Sequence, residues 1–594
     1  MFRKTSPQMS FFDVQRVLPN ALPQEDWCYL YQDQVYPYID EEIFLELYPG
    51  ETGRPNTPIK KAVSILIFMD MERHTWRGAE FLQTRRIDWL IATKTPLLEE
   101  APIDHTTLFK FFLRMESSKA AMNLFKQLTQ RFVDACGTST KNQRTDSFFM
   151  QGWLQTLSRY GLFKETLRVF LQNLRKQKSG LYEEISKGLS RNYLDKEFDL
   201  TEKDHEKAHR EVKRMAQDLY AVYTAFGKHH QVNQYESFKT LASVFQQQCE
   251  VVENPEKTAR EVVIREKPVG GEIISTPHNT DARYAKKGKQ VVCGQKGFLT
   301  ETCDKDNKTQ FITDVGVTSA TTPDAKELPA IQERLEEGKM KPEEHYADAG
   351  FVNGQTIVDS HDKGIALEGP SAGRSQSFEK YQDKDRPLDT ADFEVRVDEE
   401  NKEVSVLACP EKQAPIDLMR SEKTGKTLAH FDASVCKECK VNTRCPVKIG
   451  VGVATLTIDA ASYMGAARHH RYMGDPDYRK RCAIRAGAEA TVSEMVRVHG
   501  VRRSRHRTEG RTRLQVIFAA IACNVKRFIR HGVLHGYLVS ATAATTPSAA
   551  VSVAQAALEA FFLHVLSLIC VSARKSPRLG ILKTKTTLYT CLQF

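Results

Sequence analysis

Three acidic residues stand far apart in this chain, each in a distinctive local setting. Asp146 lies in Gln143-Arg144-Thr145-Asp146-Ser147, at the expected start of a helical segment. Asp348 ends an expected strand in Tyr346-Ala347-Asp348-Ala349-Gly350-Phe351, and Glu489 lies on an expected helix that begins near Arg481, one turn after Arg485. Separated carboxylates at strand ends and on a flanking helix suit two-metal phosphoryl transfer. Hard divalent cations prefer oxygen ligands, and two ions about 4 Å apart can activate an attacking oxygen and stabilise a leaving one. Each residue also has an ordinary reading: an aspartate before serine caps a helix, Asp348 turns the chain, and Glu489 pairs with Arg485 at i, i+4. Only their combination carries the chemistry.

Glu494 competes with Glu489 for the third position. A five-residue gap on a helix rotates the two side chains apart by roughly 140°, so both cannot face one ion pair. Glu489 is expected to share a mostly apolar stripe with Arg485, Val492 and Val496 that packs on the sheet, whereas Glu494 is expected to pair with Arg497 at the surface. Asp314, inside an expected strand, competes with Asp348 and is expected to be structural.

Four thiols form a second constellation: Cys409-Pro410, Cys436-Lys437-Glu438-Cys439 and Cys445-Pro446. Paired thiolates at this spacing could complete a tetrahedral zinc site, and a redox pair or unpaired buried cysteines are the alternatives. The remaining cysteines of the odd total of 13 are scattered, which argues against a disulfide framework and for a reducing cytoplasm.

The elements that must hold these groups follow from periodicity. A chain of 594 residues is long enough for two to four folding units. Residues 1–140 read as a helical module: Ala62, Ile65, Leu66 and Met69 recur at helix spacing, and Asp104 and Thr106 offer N-caps for the apolar run from Leu108 to Leu113. From Ser147 to Gln248 the pattern is helical again, with Leu162, Leu167, Phe170 and Leu174 on one side, and the polar stretch from Gln248 to Lys267, with Pro255, reads as a linker. Alternation then sets in. Strands are expected over Lys289–Thr300, Gln310–Val317, His345–Phe351 and Gly364–Leu367, with a helix opening at Pro323-Asp324 and running to Glu337. This alternation gives the fold class as α/β, a mixed core. Asp383 to Glu403 is charged and loop-like, and strands resume at Val404.

The net charge of +10, with 27% charged residues, suggests an anionic partner, and its distribution is more telling. Arg468, Arg471, Arg479, Lys480, Arg481, Arg497, Arg502, Arg503, Arg505, Arg507, Arg511 and Arg513 far outnumber nearby acids. Such a surface neutralises phosphates independently of sequence; an ordinary solvated basic face is the alternative. Met1 to Gln15 does not read as a secretory signal. Ala556 to Val571 is interrupted by Glu559 and His564, reads as a buried helix, and falls short of a membrane span. Ala541 to Ala549 reads as a low-complexity linker.

A family resemblance joins these pieces. Arg144-Thr145-Asp146-Ser147, Phe311-Ile312-Thr313-Asp314-Val315, Tyr346-Ala347-Asp348-Ala349-Gly350-Phe351 and Gly364-Ile365-Ala366-Leu367-Glu368-Gly369-Pro370 resemble, in that order, the core of DDE-type bacterial insertion-sequence transposases. Gly500-Val501-Arg502-Arg503 and Cys523-Asn524-Val525-Lys526-Arg527 resemble its closing region, and Gly53-Arg54-Pro55 with Thr107-Leu108-Phe109-Lys110-Phe111-Phe112 its N-terminal module. The resemblance covers most of residues 40–530. It implies an RNase H-like core in which Asp146, Asp348 and Glu489 bind two Mg²⁺ or Mn²⁺ ions. The implied partners are double-stranded DNA, both the element's terminal inverted repeats and the target, and a second copy in a homodimer, with no membrane; the implied setting is the nucleoid. Arg485, Arg497, Arg502, Arg503, Arg505, Arg507, Arg511 and Arg513 would contact DNA. The expected organisation is a DNA-binding helical domain over 1–140, a catalytic domain over 141–530 with a helical insertion at 150–250 and a Cys-rich insertion at 395–460, and a tail over 531–594. Cys482 and Val496 depart from the tyrosine and lysine that related transposases often carry around the glutamate. A catalytically inactive DNA-binding relic and an RNase H-like nuclease without strand transfer remain the alternative functions.

Overall fold

Apolar residues at helix spacing build the N-terminal part, as expected. Short α1 (Val14–Val17) and α2 (Trp27–Gln34) precede α3 (Ile59–Glu72), which buries Ala62, Ile65, Leu66 and Met69. The edge-on packing of Tyr31 against Phe68, with ring centroids 4.8 Å apart, ties α2 to α3. After α4 (Trp76–Leu82) and α5 (Ile87–Ala92), Asp104 rather than Thr106 caps α6 (His105–Arg114), accepting from the backbone N–H groups of Thr106 and Thr107. Such a cap is worth about 1 kcal/mol. Helix α7 (Ala120–Cys136) stops at Gly137, whose φ of 58° is the left-handed conformation that glycine adopts without strain. A computed structural model describes residues 1–535 except 6–10, 24, 51, 54, 98–101, 153–156, 196–204, 253–260, 288–289, 372–380 and 399–401. The expected linker at 541–549 and helix at 556–571 lie outside the described residues.

The segment around Asp146 corrects the sequence reading. Residues Asn142–Gln151 form strand β1, so Asp146 and Ser147 lie within a strand and not at a helix start. Two neighbours claim this strand, one antiparallel and one parallel; such pairing outweighs a local capping preference. The helical insertion follows as α8 (Arg159–Gln177), α9 (Ser179–Ser186), α10 (His205–Phe226) and α11 (Glu236–Gln248). Its own core includes Leu162, Leu167, Phe170 and Leu174. The expected linker after it contains instead a hairpin, β2 (Cys249–Val252) against β3 (Glu261–Ile264), whose valines favour extended pairing; Pro255 lies outside the described residues.

Strands β4 (Arg283–Lys287), β5 (Gln290–Thr302) and β6 (Ile312–Ser319) come next, then α12 (Asp324–Glu337), β7 (Glu344–Tyr346), α13 (Gly354–Asp362) and β8 (Ala366–Glu368). The sheet runs β4-β5-β1-β7-β8, with β6 also on β5. The long β5 pairs with β4 through its first half and with β6 through its second. Antiparallel β5 and β6 beside parallel β1, β7 and β8 give the expected mixed α/β core. Helices α12 and α13 cover one face through Phe298, Leu328, Ile331, Phe351, Ile357 and Leu367.

The charged stretch expected to be loop contains β9 (Glu394–Val397), which pairs with β10 (Val404–Ala408). Strands β11 (Asp417–Arg420), β12 (Thr427–Asp432), β13 (Lys448–Ile449) and β14 (Val453–Ile458) form a second sheet in the order β11-β12-β14-β13, with α14 (Ala433–Glu438) beside it. The chain returns to the main sheet through α15 (Ala460–Gly474), α16 (Pro476–Cys482), a 3-10 turn over Ala483–Ala486, and α17 (Gly487–Arg497). It closes with α18 (Glu509–His535), which packs on α7, α3 and β6. Among the described residues, no helix is long and apolar enough to cross a membrane.

Candidate active site

Two of the three expected carboxylates follow one parallel strand pair. Parallel β1 and β7 set Gln143 beside His345 and Arg144 beside Tyr346. Asp146 lies two residues beyond this pairing on β1, and Asp348 two residues beyond it in the turn after β7. Asp146 is half-buried and accepts from the Ser147 N–H at 2.7 Å. Asp348, where β7 gives way to a turn, accepts from the Gly350 N–H at 2.8 Å, and its main-chain oxygen accepts from Phe351 and Val352. A side chain at 350 would collide with this arrangement: a Cβ there would lie 3.0 Å from Asp348 Oδ1 and 2.7 Å from Asp324 Oδ2. Asp324, which sequence reasoning did not single out, is neutralised by Lys296 at 2.9 Å.

Asp314 is on the other side of the sheet. It pairs in register with Thr300, which pairs with Thr145, a neighbour of Asp146 and therefore of opposite facing. Burial pushes the Asp314 carboxyl up against the opposing pull of Arg334, which holds it at 2.8 Å from α12. Its role as a sheet-to-helix ion pair follows from that position.

The third carboxylate sits on α17, which crosses β1 and β5. Arg144 donates to the Ile484 carbonyl at 2.9 Å, and a Cβ at Gly487 would come within 2.0 Å of its guanidinium, so only glycine allows this approach. Thr491 donates to Glu301 on β5 at 2.6 Å. Glu489 therefore lies on a helix anchored at both flanks to the strands beside Asp146. Its side chain is exposed, however, and the buried stripe of α17 is Ala488, Thr491 and Met495. The expected stripe of Arg485, Val492 and Val496 is only partly buried. The reason is rotational: Gly487 and Thr491, whose contacts fix the helix phase, each lie about 160° round the helix from Glu489.

Glu494 is also differently placed than expected. Its partner is Arg527 on α18, at 2.7 Å, and not Arg497. Burial raises the Glu494 carboxyl, but the charge and hydrogen bond of Arg527 outweigh it and hold the pKa below the usual range. Arg527 also reaches Glu301, at 3.1 Å, and Glu301, fully buried, receives Arg144 at 2.7 Å. This chain of Arg144, Glu301, Arg527 and Glu494 stitches β1, β5, α17 and α18 together. Alternation could not reveal it, because Glu301 lies in a strand otherwise read as ordinary.

The basic segment meets the end of the strand that carries Asp146. The Gln151 N–H donates to the Arg502 carbonyl and the Ser504 N–H to the Gln151 carbonyl, both at 2.8 Å. Arg502, Arg503, Arg505 and Arg507 are exposed, while Val501, Ser504 and His506 between them are buried. Arg505, Arg511 and Arg513 also hold carboxylates, those of Asp70, Glu116 and Glu509, at 2.6, 2.7 and 2.8 Å. Arg497 is exposed and Arg485 half-buried. A cavity of about 700 Å³ continues this basic surface onto the N-terminal helices, lined by Arg73, Trp76, Lys110, Arg503 and Arg505 among others. The four clustered cysteines, Cys409, Cys436, Cys439 and Cys445, line one small cavity elsewhere.

Comparison with known families gives two matches. Residues 408–529 match the model of a transposase DDE domain, and residues 21–114 that of a transposase domain (DUF772). The first match spans the cysteine cluster, Glu489 and the basic segment; both aspartates precede it. No curated protein and no solved structure matches the chain.

Proposed function

Because the chain belongs to the DDE-type insertion-sequence transposases, we propose that it cleaves the ends of a mobile element and joins them to target DNA, using Asp146, Asp348 and Glu489. The observation that carries this reading is the parallel pairing of β1, which carries Asp146, with β7, which leads into the turn that carries Asp348. Their oxygen donors fit Mg²⁺ or Mn²⁺. When bound, such ions favour deprotonation of the attacking oxygen and stabilise the leaving one.

Asp146 and Asp348 are held by β1 and by the turn after β7, so their carboxylates need little reorganisation to bind. Glu489 is exposed on the side of α17 away from β1 and β5, so it completes the set only when α17 rotates to bring its carboxylate toward the strand ends. The exposed arginines from Arg502 to Arg507 hold backbone phosphates beside β1. In the first step a water oxygen attacks a phosphorus at the element end, the P–O3′ bond breaks, and a 3′-hydroxyl is released. In the second, that 3′-oxygen attacks a target phosphodiester in line and the target's own 3′-oxygen leaves; bond count is conserved and no external energy source is consumed. We assign the working form as a homodimer that holds both ends.

The test is incubation of the purified chain with DNA carrying the element's own ends, with and without Mg²⁺. Metal-dependent cleavage followed by joined products supports the reading. Cleavage without joining would make it a nuclease, and DNA binding without cleavage a relic.

A further inference from the structure

The Cys-rich insertion is a small module with one compact core. Its two-stranded sheet, β9 with β10, and its four-stranded sheet share one hydrophobic cluster, including Phe393, Val404, Val406, Phe431 and Leu456. Cys409, Cys436 and Cys445 pack against that same cluster. Modules this small are commonly stapled by a metal or by disulfides, and these four cysteines are all free thiols.

The thiols converge from separate elements. Cys409 follows β10, Cys436 lies on α14, Cys439 ends that helix, and Cys445 precedes β13. All four line one cavity of about 30 Å³, room for a single water or ion. Two sulfurs already accept backbone N–H groups: Cys409 Sγ from Gln413 at 3.3 Å, across a turn in which Lys412 takes a φ of 62°, and Cys445 from Val447. Bonds of this kind favour a thiolate over a thiol.

We propose that Cys409, Cys436, Cys439 and Cys445 bind one structural zinc ion that fastens the β9–β10 hairpin to the four-stranded sheet. Four thiolates leave no open position for substrate, so the ion is structural and separate from the carboxylate site. No three of the four sulfurs stand within 4.8 Å of one another, so zinc–sulfur bonds of about 2.3 Å require the thiols to close in.

The experiment is metal analysis of the full chain purified under reducing conditions from zinc-replete culture, which does not depend on transposase activity. One zinc per chain is expected, released in full by a thiol-reactive mercurial. The double variant Cys436→Ser, Cys439→Ser should lose it, while Cys249→Ser, buried in the helical insertion, keeps it. Should the double variant fail to fold, cobalt exchange into the unmutated chain decides: thiolate-to-cobalt charge-transfer bands with tetrahedral d–d absorption support the site. Absence of those bands, a zinc-free chain with all four thiols open to alkylation, or an oxidised Cys436–Cys439 disulfide in the isolated protein would overturn it.

Discussion

Arg527 on α18 donates to Glu494 on α17 at 2.7 Å while its other terminal nitrogen faces the fully buried Glu301 at 3.1 Å. Glu494 is thereby committed to holding two helices and a strand together, and Glu489 on the same helix has its carboxylate in solvent. The two glutamates separate experimentally. Glu489→Gln should abolish metal-dependent cleavage and leave the melting transition almost unmoved. Glu494→Gln should retain most cleavage at low temperature and lose about 1–3 kcal/mol of stability, the cost of a partly buried charge without its partner. Parallel cleavage assays and denaturation curves check this, and the reverse pattern would make Glu494 the catalytic residue.

For the aspartates, Asp146→Asn and Asp348→Asn each preserve shape and remove charge. Cleavage should fall by more than the roughly 10–100-fold that loss of an outer-shell partner costs, with DNA affinity nearly unchanged. Asp314→Asn, on the opposite face, should instead reduce stability and spare cleavage. Wild-type cleavage by either of the first two variants would remove that residue from the site.

Charge reversal at Arg502 and Arg503, exposed beside the end of β1, should weaken binding to any duplex. The slope of log affinity against log salt should flatten by about one unit for each phosphate the protein no longer neutralises. Titrations over a range of salt measure it; an unaltered slope would place DNA on another surface.

A pH dependence follows from His506, which stacks on Phe112 of α6 with ring centroids 5.0 Å apart. Burial, helped by Arg505 and Arg511, lowers its pKa from 6.5 to about 4. The unfolded chain takes up this proton first as pH falls. The contribution of neutral His506 is therefore complete above 6.5 and is lost between 6.5 and about 4. Lowering the pH to about 5 should cost the wild type up to about 2 kcal/mol through this residue. His506→Phe keeps the stacked ring and should flatten that part of the profile, as chemical denaturation at both pH values would reveal. An identical pH dependence in the variant would exclude His506 as its source.

Much of this molecule could be read along the chain. The apolar stripe of α3, the Asp104 cap of α6, the strands β5 and β6 and the helix opening at Pro323-Asp324 are all encoded within a few residues, where periodicity and capping act. The ordered motifs around Asp146, Asp348 and Glu489 likewise pointed to the family. What tertiary structure decided was everything that depends on a distant partner. Asp146 lies in a strand because β5 and β7 claim its backbone on both sides. The stretch after Gln248 pairs with itself as a hairpin. Asp314 leaves the site because register turns it to the face of Arg334. The phase of α17 is set by Gly487 against Arg144 and Thr491 against Glu301, contacts between residues hundreds of positions apart, and so no reading of that helix alone could tell which glutamate faces the core and which faces solvent.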